Sequence, residues 1–282
     1  MTKILPLGHL FPTNQEGFIL NDCHPDKILP PWTSLVEELC QTCLQIWPSR
    51  LQALYLRGSV PRGLAILNGS DLDSFALLSG EITPQDIEQS RQLCQTLKRR
   101  YLFCKKVELI LFNDRLIHNT NSIWPVIIQT ESLQIAGNFI PKTLKVKPGP
   151  DLISYSYTWK SDLANTLKSL ECLSPRALDY SNQVKKQCAW IARRLIRVGF
   201  ELVMEQDQCY TPDLYQCYQR FSAYFPEQKK SMKKALELAI NPSANRAGLI
   251  IFLRRFGRWL EGEVHRKFYS SIEEEPSTNK IP

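Results

Sequence analysis

Apolar positions recur along this chain with two different periods. Between about residues 50 and 112, short dense runs are bounded by turn residues: Ala53-Leu54-Tyr55-Leu56, then Ser74-Phe75-Ala76-Leu77-Leu78, then Val107 to Phe112. Runs of that length between Gly, Asn, Asp and Ser clusters predict strands. From Asp151 onward the spacing changes to three and four, which predicts helices only, over 152–173, 175–198, 212–224, 227–240 and 242–268. A helix is also predicted over 32–47, with Thr33 or Ser34 as its cap, Glu37 and Glu38 in its first turn, and Leu35, Leu39, Cys43 and Ile46 on one face. Another starts at Thr83-Pro84 and runs to about Arg99. Residues 113–131 read as partly helical and broken by Pro125, and 132–140 as a last strand or an ordered loop.

These elements predict two domains: an α/β (α+β) domain over 1–140 with a small mixed sheet, and an all-α helical bundle over 152–270. Residues 1–31, with five prolines, form an irregular lead-in. Pro141, Pro148, Gly149 and Pro150 mark a stiff linker over 141–151 that also carries Lys142, Lys145 and Lys147. The charged, proline-bearing end, 271–282, is expected to be disordered.

Composition narrows the function classes. A chain of 282 residues with 43% hydrophobic and 22% charged content is that of a soluble globular protein. Its formal charge of +7 permits a polyanionic partner such as RNA or a nucleotide, though a solvated surface accounts for it equally well. Nothing reaches the roughly eighteen uninterrupted apolar residues of a membrane span. Nine cysteines without framework spacing, and no secretory leader, are expected in a reducing cytoplasm. Cys40-Gln41-Thr42-Cys43 is a C-x-x-C pair inside a predicted helix with no second pair nearby, so packing is the expected role. The four histidines lie far apart, and no G-x-S-x-G elbow, Walker A loop or dinucleotide fingerprint is found.

The chemistry gathers between Tyr55 and Ala76. The first strand runs into Gly58-Ser59, a turn whose backbone N–H groups and hydroxyl suit a phosphate oxygen. A short helix after that turn would add its N-terminus, and Arg57 and Arg62 are candidates for the same anion. Asn68-Gly69-Ser70 makes a tight turn into the next strand, where Asp71 and Asp73 stand two apart and point to one face. Two adjacent carboxylates repel unless a cation lies between them, and a hard divalent ion such as Mg²⁺ is the usual one. Glu108 is the sole acid of its strand and a candidate to accept a proton from an attacking hydroxyl. Lys98-Arg99-Arg100 and Lys105-Lys106 bracket an aromatic stretch, readable as a nucleic-acid contact or as the basic residues that a helix C-terminus favours.

Gly58-Ser59, followed by Asp71-x-Asp73 and then Glu108 on a later strand, resembles the signature of the DNA polymerase β-type nucleotidyltransferase superfamily. With Glu in the third place and a helical domain behind it, the chain is most similar to the aminoglycoside nucleotidyltransferase branch, over about Leu54 to Phe112. The resemblance implies that Asp71, Asp73 and Glu108 are catalytic and hold metal, two Mg²⁺ ions in all. It implies nucleotide contacts from Gly58, Ser59, Arg62 and Ser70, and from Arg193 or Arg194 in a helical domain facing the metals across a cleft. ATP would then be the donor of AMP to a hydroxyl. The acceptor would be a small molecule of aminoglycoside type, or a tRNA 3′ end or protein hydroxyl as in toxin-type nucleotidyltransferases. A non-catalytic nucleotide-binding module is the alternative of a different class. The chain departs from the branch after the Arg193 helix, where Tyr210-Thr211-Pro212-Asp213 stands instead of a Ser-Lys pair, and it carries no acidic and aromatic cluster to match a drug-binding face.

Overall fold

A computed structural model describes residues 4–113, 115, 123–138 and 144–270. The chain divides into two compact units, one of Phe11–Lys147 and one of Met1–Leu10 with Pro148–Pro282.

The first unit holds α1 (Trp32–Ile46), β1 (Leu51–Arg57), β2 (Leu72–Leu78), α2 (Pro84–Arg100), β3 (Val107–Asn113), α3 (Trp124–Glu131) and β4 (Ser132–Gly137). The strands form one sheet in the order β3-β2-β1-β4, with β2 and β3 parallel and the other pairs antiparallel. That is the small mixed sheet the sequence predicts. The parallel pair needs a crossover, and α2 supplies it. Alternation along the strands sends Leu54, Leu56, Leu72, Ala76 and Leu78 to one face, where Leu35, Leu39 and Cys43 of α1 and Leu93 and Leu97 of α2 cover them. The opposite face carries Ala53, Tyr55, Phe75 and Leu77 against Ile128, with Trp124 and Phe112 packed around them.

One buried carboxylate ties three elements together. Thr83 caps α2 by accepting from the Asp86 N–H, while Asp86 Oδ2 accepts from the Thr83 N–H at 2.8 Å. Asp86 Oδ1 also accepts from the Trp47 indole at 2.9 Å and from Arg50 at 2.9 Å. Burial alone would raise this carboxyl, but the Thr83, Trp47 and Arg50 donors hold it down at about 2. A depressed acid stabilises the fold above its unfolded value of 3.8, and the contribution is lost as the pH falls through about 2. Asp86→Asn is therefore expected to cost stability at pH 6 and little at pH 2. Denaturant midpoints measured across that range check it.

Three local expectations change in this unit. α1 begins at Trp32 behind Pro31 with no side-chain cap, so Thr33 and Ser34 lie inside it and its first turn holds no acid. Glu38 instead accepts from the Tyr101 hydroxyl at 2.8 Å and pairs with Arg100 at the end of α2. Pro125 sits in the first turn of α3, where its missing N–H costs nothing, and so starts that helix instead of breaking it. Residues 58–63, expected to begin a short helix, are turn only. The expected last strand is present as β4.

The second unit is helical: α4 (Tyr155–Cys172), α5 (Tyr180–Asp207), α6 (Leu214–Tyr224), α7 (Lys229–Ile240), α8 (Arg246–Phe252) and α9 (Arg258–Phe268), with a π-helical turn, Leu253–Gly257, joining the last two. α5 packs against α4, α6 and α7. It runs past Gly199 because that glycine marks a close approach and not an end. A Cβ there would stand 2.3 Å from Met232 Cε and 3.0 Å from the Phe221 ring. Glu201 of α5 is buried, and its carboxylate accepts from the N–H groups of Ser154, Tyr155 and Ser156 and from the Ser156 hydroxyl, capping α4 from the side. Among the described residues, no helix is long and apolar enough to cross a membrane.

Residues of the lead-in belong with these helices. The His9 N–H donates to Asp213 Oδ2 at 3.1 Å, the Thr211 hydroxyl to the His9 carbonyl at 2.8 Å, and the Gln216 amide to the Gly8 carbonyl at 3.0 Å. Gly8 has φ +89, and a Cβ on it would lie 2.4 Å from Asp213 Cβ. Lys145 and Lys147 of the expected linker stack on Phe18 at 5.4 and 4.9 Å. Lys142 and the expected disordered end, 271–282, lie outside the described residues.

Candidate active site

The sheet registers bring the predicted acids to one corner. Asp73 is paired with Glu108 across the parallel β2–β3 ladder and with Arg57 across the antiparallel β1–β2 ladder. Asp71 directly precedes β2, and the Leu72 N–H donates to the Lys106 carbonyl at 2.8 Å, which sets Asp71 beside Lys106. Asp73, Phe75 and Leu77 alternate onto the face that carries Tyr55 and Trp124, so the acids stand at the edge of an aromatic layer. Tyr55 stacks on Phe75 at 4.9 Å, and Phe75 meets Trp124 at 5.1 Å.

Charges at this corner are unevenly balanced. Burial pushes the Asp73 carboxyl up, Arg57 and Lys106 lower it, and Glu108 and Asp71 raise it further, leaving it above the usual carboxylate value. Arg57 lies over Trp124 at 5.8 Å and within 3.9 Å of Glu131, a buried acid that ends α3. Lys106 Nζ is 2.7 Å from Glu108 Oε1. The Glu108 contact, with Asp71 and Asp73 behind it, raises the lysine above its ordinary value. Asp71 Oδ1 is buried with no hydrogen-bond partner, which is costly for a carboxylate oxygen unless something positive meets it.

Gly58 makes the approach to these acids possible. Its φ of +79 is left-handed, and a Cβ on it would stand 2.9 Å from Asp73 Oδ2. Gly58→Ala is expected to cost about 1–2 kcal/mol from backbone strain and to displace the Asp73 carboxylate. Urea denaturation reads the first effect, and loss of divalent-ion binding reads the second. Ser59 follows in the turn, half-buried, with its carbonyl accepting from the Leu64 N–H at 2.9 Å.

Two expected nucleotide contacts are committed elsewhere. Arg62 is buried, its Nε 3.1 Å from Asp22 Oδ2 and its guanidinium 4.6 Å over the Phe11 ring, with 3% of the side chain exposed. So deep a guanidinium anchors the turn to the lead-in. Ser70 accepts the Ile66 N–H at 2.8 Å, and its carbonyl accepts from the Lys105 N–H, so it shapes the Asn68-Gly69 turn. Arg193 is exposed on α5 in the helical unit. Its neighbour Arg194 is held by Asp162 at 2.6 Å and stacks on Tyr155 and Trp190 at 5.2 and 5.0 Å. The basic cluster at the end of α2 serves local structure: Lys98 donates to the Cys104 carbonyl at 2.6 Å, and Arg100 pairs with Glu38. Cys43 of the C-x-x-C pair is fully buried, and desolvation lifts its thiol to about 12.

Lys106 and Glu131 are the functional candidates that sequence reading passed over. The signal for Lys106 was present, since it stands two before Glu108 and so shares its face.

The donor set suits a hard divalent cation: two neighbouring carboxylates, one with an orphaned buried oxygen, behind a glycine that leaves the space open. Among the described residues, no group of three or more His, Cys, Asp or Glu is placed to share an ion. Asp71 and Asp73 thus fit as ligands, while Glu108 is drawn to Lys106.

No family model and no curated protein matches this chain. Among solved structures, it is similar to the crystal structure of spectinomycin adenyltransferase AAD(9) from Enterococcus faecialis with ATP and spectinomycin. The two are 13% identical with a TM-score of 0.46, over 82% of this chain and 98% of that one.

Proposed function

We propose that this protein is a nucleotidyltransferase that moves AMP from ATP to a hydroxyl acceptor. The observation that carries the reading is the buried, unpartnered Asp71 Oδ1 beside Asp73, at a corner where Glu108 also arrives. A fold that holds repelling acids together without a partner for one of them is built for an incoming cation.

In this reading the Ser59 hydroxyl and the N–H groups of its turn hold the triphosphate. Asp71 and Asp73 would hold Mg²⁺, which would supply neutralisation of phosphate charge and a more acidic attacking hydroxyl. The acceptor oxygen bonds to the α-phosphorus as the bond to the bridging oxygen breaks and pyrophosphate leaves. Glu108 takes the acceptor's proton. Arg57, paired with Asp73 across the ladder and 3.9 Å from Glu131, is the positive charge that most favours the ionised Asp73 carboxylate. Arg193 is retained as a candidate for the nucleotide. The proposed acceptor is a small hydroxylated molecule of aminoglycoside type, with tRNA or a protein hydroxyl as the macromolecular alternative. Nine free thiols suit a reducing compartment such as the cytoplasm.

Transfer of label from α-labelled ATP with Mg²⁺ tests this, with aminoglycosides, total tRNA and a protein extract as acceptors and Asp73→Asn alongside. Label in one fraction, absent with the variant, names the acceptor class. ATP binding with no label in any fraction would replace the enzyme by a nucleotide-binding module.

A further inference from the structure

We infer that Lys106 is a built-in cation of the acid corner. In the free protein it claims Glu108, leaves Asp71 and Asp73 as a site for one divalent ion, and keeps a second ion out until it is drawn away. The inference rests on the reading of Asp71 and Asp73 as metal ligands. It assigns a positioning residue to that site and limits the ion count.

The placement is set by backbone. The Lys105 N–H donates to the Ser70 carbonyl at 3.0 Å and the Leu72 N–H to the Lys106 carbonyl at 2.8 Å, so Lys106 enters the ladder beside Asp71. Glu108 enters it beside Asp73. Residues 106 and 108 share a face, and their side chains meet at 2.7 Å. The lysine is 57% exposed, so its ammonium is free to swing out towards an arriving polyphosphate without unpacking the core.

Charge counting points the same way. Three carboxylates, Asp71, Asp73 and Glu108, face two cations, Arg57 and Lys106. One divalent ion turns that net charge of −1 into +1, and a second would take it to +3. Two ions become electrostatically reasonable only when a triphosphate brings its own negative charge, and the same charge attracts Lys106 away from Glu108. Glu108 is then released both as a ligand and as a proton acceptor.

The test is a Mn²⁺ titration of the full chain without nucleotide, with free Mn²⁺ followed by electron paramagnetic resonance. The wild type is expected to bind one ion per chain, and Asp73→Asn to lose it. Lys106→Ala is expected to bind the first ion about tenfold more tightly, from relief of one nearby positive charge, and to take up a second. The second ion should vanish again in the double variant Lys106→Ala with Glu108→Gln, whereas Lys106→Arg should behave as the wild type. Circular dichroism confirms that each variant is folded. Two ions in the wild type, or Lys106→Ala matching the wild type in both number and affinity, would overturn the role of Lys106 alone. Undiminished binding by Asp73→Asn would overturn the underlying assignment of the acids.

Discussion

Asp73→Asn is expected to lower nucleotidyl transfer by about three orders of magnitude or more, and to leave a protein that is more heat-stable than the wild type. The first effect follows, on the proposed activity, from removing a charge that would help hold the cation neutralising the transferred phosphate. The second follows from the position of the acid. Burial pushes the Asp73 carboxyl up, Arg57 and Lys106 lower it, Glu108 and Asp71 raise it further, and the balance leaves it raised. An acid raised in the fold favours folding below its unfolded value of 3.8, and that benefit fades as the pH rises through the folded value. At neutral pH the ionised group is therefore a burden, and Asn keeps its shape without the charge. A higher melting temperature than that of the wild type is expected in thermal melts with a chelator present. Adding Mg²⁺ should raise the melting temperature of the wild type and leave the variant unmoved. Wild-type turnover by the variant would remove Asp73 from the metal site.

The largest loss of stability is expected from Glu201→Ala, far along the sequence from the acids. Glu201 accepts three backbone N–H groups at 2.9, 3.0 and 2.7 Å and the Ser156 hydroxyl at 2.6 Å. Alanine would leave the first turn of α4 with buried donors and no acceptor, a cost of about 4 kcal/mol by the penalty for unpaired buried groups. Gln returns one acceptor oxygen but turns an NH₂ towards donors, so an intermediate loss of about 2 kcal/mol is expected. Because the chain has two units, hydrogen exchange resolves the effect better than one global melt. The amides of Ser154, Tyr155 and Ser156 should lose protection first. Unchanged exchange at those amides in Glu201→Ala would show that the carboxylate does not hold the turn.

What was legible in the sequence is what short-range physics determines. The dense apolar runs became β1, β2 and β3, and Thr83-Pro84 began α2 with a capping box. Asp71, Asp73 and Glu108 were readable because period-two alternation places acids on a face. Long-range partners were not readable. Arg62 looked like an anion ligand from its place after Gly58-Ser59, but Asp22, forty residues earlier, claims it. Gly199 looked like a helix end because nothing local reveals Met232 against it. Lys106 was read with its basic neighbours, though its position two before Glu108 was the better guide. Glu131 gave no signal, since its partner Arg57 comes from a strand joined to its own helix only through the sheet.

The partnership of Gly8 and His9 with Asp213 and Gln216 has a consequence for how the protein is made. These bonds join residues 204 and 208 positions apart. During synthesis the segment around Gly8 leaves the ribosome long before its partners exist. The sheet unit, Phe11–Lys147, is complete in sequence well before that and can fold as it emerges. The helical unit cannot close on its first strand of chain until Gln216 has been added, and so it finishes last. The nascent Gly8 segment must wait through that interval without these partners.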